Sequence, residues 1–360
     1  MTSKERVRAA IEHREGDRVP IFSTYTPETA ALLARATGSR ELDVGVAMGN
    51  DMVKDSVGLE MSYYLSDEPT YLCPWGISWR NVYNSTGHYT EIVDFPLAGD
   101  EDKLSTFSIP DPTDDALYER ARTILDRYGS DYWVVGSCQC SIFEASWYLR
   151  GLDQFLVDLA LNPDYVNELM DRVMEFPRQA GLRYIDMGVD MVWLGDDIAT
   201  QTGMMISPEM WRTYLKPRYK KLFAEFKARR PDIAIAYHSC GNCEAIIPEL
   251  IEIGLDVLNP IQPLAIDPIS VKARYGDTLT LFGAMDVQQV MPFGTAADVR
   301  AEVRRLIEGC ASGGGFILAG AHHLQSDTDP ANIFAFYEAA REFRPRGRGQ
   351  TGTGPGRPRG

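Results

Sequence analysis

Histidine and cysteine are scarce here, five and six residues among 360. So few cysteines in so long a chain exclude a disulfide-built scaffold and leave metal binding or plain burial as their uses. Positive charge is short as well: 36 Lys and Arg stand against 51 Asp and Glu, for a net charge of −15 at pH 7. Such an acidic balance argues against a phosphate-tracking groove, so no nucleic-acid partner is expected. No apolar run approaches the roughly 18–20 residues that span a bilayer. Residues 1–20 lack the apolar core of a signal peptide, and a cytoplasmic protein with no membrane partner is expected. No Gly-x-Gly-x-x-Gly follows an early strand, which counts against a dinucleotide domain.

What is present is a core-forming chain, 44% hydrophobic. Residues 1–12 have helical spacing, 18–24 read as a strand and 27–38 as a helix ending at a glycine. Residues 45–110 are aromatic-rich and less regular, with loops and short strands. From residue 115 onward apolar strands alternate with amphipathic helices. The strands are 131–138, 190–197, 233–239, 256–261, 279–286 and 316–323. One long helix is predicted over 207–230, with Ser207 as N-cap and Pro208 in its first turn. Repeated strand–helix units with short connectors predict a parallel sheet wrapped in helices. Their number and the chain length favour a closed (β/α)8 TIM barrel over 1–343, with N-terminal helical and loop additions. The Gly/Pro/Arg segment 344–360 has nothing to bury and is expected to be a disordered tail.

In such a barrel the chemistry gathers at the C-terminal ends of the strands. Six strands end in polar or reactive groups: Cys138; Asp196 and Asp197; His238 and Cys240; Asn259; Asp286; His322 and His323. Strand residues two apart face the same side, so His238 and Cys240 can both face the mouth while Ser239 turns away. An imidazole and a thiol make a zinc-type pair that needs a third protein ligand and an open position to become catalytic. Only one of His322 and His323 can join them, and periodicity does not choose. Cys243, in the first turn of a helix, is either a further ligand or a thiol whose pKa the helix N-terminus lowers. Asp196 and Asp197 read as a functional pair, the alternative being that one of them caps a neighbouring loop. His13 and His88 read as surface histidines, and Cys73 and Cys310 as inert.

The segments DRVPI, GDDIATQTGMMISPEMWRTYLKPRYK, YHSCGN, DVLNPIQP, LTLFGAMDVQ and GGGFILAGAHHLQSDTDPANI resemble the uroporphyrinogen decarboxylase superfamily along nearly the whole chain. That superfamily also holds zinc-dependent methyltransferases that work with methylcorrinoid proteins. The resemblance implies the same barrel. In the methyltransferase branch a His-x-Cys pair and a cysteine after the last strand hold zinc. His238 and Cys240 match the pair, and His322 stands where those enzymes have the last cysteine. The decarboxylases carry an arginine-rich segment after the first strand, and here IFSTYTPETA has no arginine before Arg35.

The expectation is therefore a zinc-dependent methyltransferase with His238, Cys240 and His322 as ligands. It would move a methyl group between a small O-, N- or S-methyl compound and cobalamin on a separate corrinoid protein, since no Asp-x-His-x-x-Gly cobalamin motif occurs. Asp196, Asp197 and Asp286 would orient substrate or move protons. Cys138, Glu144, Gln201, Asn259 and Gln262 would contact substrate, the alternative for Cys138 being a small buried residue. The alternative is a metal-free decarboxylase or lyase acting on a small carboxylated substrate, with His322 and Asp196 as its acid–base pair. A homodimer is compatible with either.

Overall fold

The computed structural model describes residues 1–85 and 87–344; the expected tail lies, beyond Arg344, outside the described residues. Eight parallel strands form the barrel: β1 (Ile21–Phe22), β2 (Met52–Ser56), β3 (Trp133–Gln139), β4 (Met191–Gly195), β5 (Ala234–His238), β6 (Val257–Ile261), β7 (Thr280–Met285) and β8 (Phe316–Gly320). Hydrogen bonding runs β1-β8-β7-β6-β5-β4-β3-β2.

The remaining seam, between β1 and β2, is closed by side chains as much as by backbone. Asp51 donates its N–H to the Ile21 carbonyl (2.7 Å) and accepts the Ile21 N–H on Oδ2 (2.8 Å). Asn50 repeats the exchange with Ser23, accepting its N–H (3.0 Å) and donating to its carbonyl (2.9 Å). Asp51 is fully buried, and burying a carboxylate is costly unless donors surround it. Arg6 and Arg18 each reach it at 2.6 Å and Ser3 at 2.7 Å.

The two-residue period of the strands sorts side chains into two layers. Phe22, Met52, Trp133, Val135, Met191, Trp193, Ala234, Ala236, Val257, Phe282, Ile317 and Ala319 fill the barrel together with Val7 from the N-terminal helix Ser3–Ile11. Their alternates, among them Val134, Val192, Leu194, Ile235 and Tyr237, pack in the outer cluster that includes helix residues. No described helix is long and apolar enough to cross a membrane.

Two elements differ from expectation. β2 lies in the stretch that reads as irregular, because Lys54 and Asp55 break its apolar run. Both charges find partners on folding: Lys54 bonds Glu60, and Asp55 bonds Tyr184 and Arg120. The helix expected over 207–230 is two helices, Pro208–Tyr214 and Lys216–Arg229. Pro217 has no N–H to bond back to residue 213 and its ring crowds that carbonyl, so the chain breaks at Leu215. The Ser207 cap forms as expected, accepting the Met210 N–H at 3.1 Å. The excursion between β2 and β3 holds a three-stranded antiparallel sheet of Thr70–Leu72, Ser78–Tyr83 and His88–Asp94.

Removing the Asp51 carboxylate leaves Arg18 without a carboxylate partner and Arg6 with Asp17 alone, and strips the buried seam of its shared acceptor. Asp51→Ala is expected to lower stability by about 3–5 kcal/mol, read from the denaturant midpoint at unchanged slope. A loss below about 1 kcal/mol, the size of a surface pair, contradicts the role given to Asp51.

Candidate metal centre at the barrel mouth

The strand period decides which polar groups meet. On β4, Met191 and Trp193 face the barrel interior, so Asp197 continues that side, whereas Val192 and Leu194 place Asp196 on the outer one. On β5, Ala234 and Ala236 put His238 inside, and Cys240 follows two residues later. The two strands touch closely at Gly195, where an added Cβ would lie 2.4 Å from the His238 carbonyl oxygen. Beyond β5 the chain turns at Gly241 (φ 81°). Gly241 donates its N–H to Gln262 Oε1 (2.8 Å) and Asn242 donates to the Thr200 carbonyl (2.8 Å). Ser239, fully buried, accepts the Ile198 N–H on its hydroxyl (3.3 Å).

Asp197, His238 and Cys240 thereby bring one donor atom each to within 4.8 Å of the others. His238 Nε2 lies 3.4 Å from Cys240 Sγ and 3.4 Å from Asp197 Oδ1. Asp197 Oδ1 also accepts the Cys240 N–H at 2.7 Å. The opposite ring nitrogen, Nδ1, is 2.7 Å from Asn259 Oδ1. Asn259 donates its amide nitrogen to the Phe282 carbonyl (3.3 Å), which fixes the amide's orientation and makes Nδ1 the protonated nitrogen. In the neutral ring the lone pair is then on Nε2, pointing at the thiol and the carboxylate. This is the tautomer a metal-binding imidazole needs.

The electrostatics are those of a crowded, partly desolvated site. Burial opposes charge on His238, but Cys240 and Asp197 outweigh it and hold its pKa well above the ordinary value. Burial likewise disfavours the Asp197 anion, yet His238 draws its pKa below the usual range. Burial keeps the Cys240 thiol up, with His238 pulling the other way. Glu144 accepts the Asp197 N–H at 2.9 Å and the Tyr148 hydroxyl at 3.2 Å. Burial and the neighbouring Asp197 and Asp196 raise its pKa well above a carboxylate's.

The other expected residues take varied places. Asp196 is fully buried and points away from the mouth. It accepts the N–H groups of Ile142 (2.9 Å) and Glu144 (3.0 Å) and the Tyr219 hydroxyl, so it caps the start of helix Phe143–Arg150. Burial pushes it up to about 6 against those bonds. Asp286 braces the turn after β7 by accepting the Gln288 and Gln289 N–H groups (2.8 and 3.0 Å). Gln262 positions the loop at Gly241, and Gln201 lies exposed at the tip of a β-hairpin.

Cys138 alternates with Val134 into the outer layer and is buried there, so its place is packing and not the rim. Cys243 is buried too, and burial pushes its thiol up to about 12, overturning the lowering expected from a helix N-terminus. His13 and His88 are half-buried instead of surface groups, His13 against the Gly276 carbonyl and His88 on Glu28.

His322 faces His238 with ring centroids 6.5 Å apart, and His323 is 4.8 Å further along. Surrounding protein and the charge on His238 lower the His322 pKa, and both rings keep contact with solvent. Two mouth residues escape the sequence reading altogether. Lys54 extends inward from β2, two residues after Met52, and its ammonium lies 5.2 Å from the centre of the Trp193 ring. It pairs with Glu60 at 2.9 Å. The signal for Lys54 is parity with Met52, available only once β2 is recognised; Glu60, in the helical turn Leu59–Ser62 beyond the strand, carries no such signal.

A methyltransferase from Methanosarcina mazei has the same fold, with a TM-score of 0.71 over 95% of this chain and 99% of that one at 18% identity. By sequence, a uroporphyrinogen decarboxylase of Pseudomonas aeruginosa is 24% identical over 247 residues, 67% of this chain and 68% of that protein. A methylated-thiol–coenzyme M methyltransferase of Methanosarcina mazei is 23% identical over 203 residues, 56% of this chain and 51% of its own length. Relatives named for both chemistries therefore match this chain in sequence. The family profile described as uroporphyrinogen decarboxylase (URO-D) matches residues 2–343, nearly everything the structure describes, and the chain belongs to that family.

Proposed function

We propose that the protein is a zinc-dependent methyltransferase that moves a methyl group between a small O-, N- or S-methylated compound and a separate corrinoid protein. The observation that carries this reading is the convergence of Asp197, His238 and Cys240 within 4.8 Å around an imidazole whose Nδ1 is already held by Asn259. One thiol, one imidazole and one carboxylate suit zinc, whose catalytic sites use three protein ligands and leave a fourth position open. His238 Nε2 and Cys240 Sγ are two of the ligands. Asp197 Oδ1, already gathered beside them, is favoured as the third over His322, which the sequence position nominates. Zinc bound there supplies Lewis acidity and stabilises a thiolate at neutral pH.

The chain's own residues do the positioning. Asn259 fixes the His238 ring, while Glu144 and the Cys240 N–H hold the Asp197 segment. His322 and His323 remain open to solvent at the mouth, where they would meet the substrate or the incoming cofactor. The similarity to a coenzyme M methyltransferase supports this reading. The similarity to decarboxylases favours a second one, metal-free decarboxylation or lyase chemistry through His322 and Asp196. The full burial of Asp196 weighs against it, because a substrate cannot reach that carboxylate.

Protein purified without chelators is expected to carry close to one zinc per chain by elemental analysis. Less than about 0.2 per chain contradicts the reading, since catalytic zinc sites are normally filled. His238→Ala and Cys240→Ala are expected to empty the site; zinc unchanged in both would sink it. Asp197→Asn is expected to lose more zinc than His322→Ala, and the reverse order assigns the third place to His322. Asn259→Ala is expected to weaken zinc affinity by about 10–100-fold, as loss of a partner behind a ligand does; an unchanged affinity in competition with a chelator removes Asn259 from this role.

A further inference from the structure

The mouth carries its acidic and basic groups on different strands. Asp197 and Glu144 lie together on the side of β4 and the helix after β3. Lys54 reaches inward from β2, whose seam partner β1 pairs with β8, the strand that leads into His322 and His323. The floor between them is Trp193, which has Lys54 5.2 Å from its ring centre and the His238 ring at 6.4 Å.

Lys54 is also fixed in place. Its partner Glu60 is held by the Ser137 hydroxyl (2.5 Å) and the Gln139 N–H (3.2 Å), both on the carboxylate oxygen that Lys54 does not use. Glu60 thus anchors Lys54 as well as balancing its charge, and it takes one of the three ammonium protons, leaving two for a ligand. The side chain of Lys54 keeps 16% of its surface exposed, so it is not sealed in the core. An aliphatic residue would fill the same space over Trp193 without needing Glu60, so packing does not account for a lysine at an inward barrel position.

The geometry points to Lys54 as a specificity-determining residue that takes an anionic group of the substrate, a carboxylate or sulfonate, on the His322 and His323 side of the mouth. The reacting end of that molecule then lies toward His238 and Cys240. This orientation rests on the proposed zinc reading. A neutral substrate leaves Lys54 unused.

The test uses the full zinc-loaded chain and two probes matched in length, 3-mercaptopropionate and 3-mercapto-1-propanol, titrated by calorimetry. Wild type is expected to prefer the acid by about tenfold, the effect of one charge-assisted contact. Lys54→Met is expected to bring that ratio close to one, and Lys54→Arg to restore most of it. Circular dichroism and melting temperature on each variant separate a lost contact from a lost fold. Equal affinities in wild type, a ratio that survives Lys54→Met, or no binding of either thiol overturns the assignment. Zinc content of the same samples reports on the metal reading by itself: a chain without zinc fails that reading, whereas a zinc-loaded chain with no acid preference fails only Lys54.

Discussion

The close approach of β4 to β5 at Gly195 sets the site. Any side chain there would collide with the His238 backbone, so glycine is what allows the Asp197 and His238 segments to lie side by side. From that contact follow the Asp196 N–H bond to the His238 carbonyl at 2.9 Å and the alternation that sends Asp196 outward and Asp197 inward. Two adjacent acids thereby receive different work. One supports a helix from behind, and the other joins an imidazole and a thiol.

The same physical rule governs the buried carboxylates away from the mouth. Asp51 at the seam and Asp196 behind β4 have no access to solvent, and each is surrounded by donors that make its burial tolerable. Neither has an oxygen that a ligand can reach. Asp197, Cys240 and the two mouth histidines keep some exposure, and that difference in access separates groups that hold the barrel from groups that can meet a ligand. Glu144 is intermediate: buried, but bonded to the backbone of Asp197, so that it acts on the mouth through another residue.

The barrel was legible because its strands after residue 130 are continuous apolar runs, and the His238–Cys240 pair because a two-residue spacing on a strand has one meaning. Three things were hidden. β2 carries a lysine and an aspartate side by side, and a pattern of apolar residues cannot anticipate that Glu60 and Tyr184 will receive them. Cys138 ends a strand and so reads either as a rim residue or as a small buried one; which face a terminal residue takes depends on a register that only Trp133 and Val135, packed inside, reveal. Asp197 was expected to orient substrate or move protons; its convergence with the thiol and imidazole depends on the turn at Gly241 and on contacts from Gln262 and Thr200, distant in sequence.

X-ray absorption at the zinc edge of the purified protein tests the central claim most directly, because it counts sulfur ligands without needing a substrate. The account predicts one sulfur at about 2.3 Å with the remaining ligands nitrogen or oxygen near 2.0–2.1 Å. A metal shell without sulfur, or one with two sulfurs, would contradict it, because Cys240 is the thiol that reaches His238 and Asp197 while Cys243 is buried behind it.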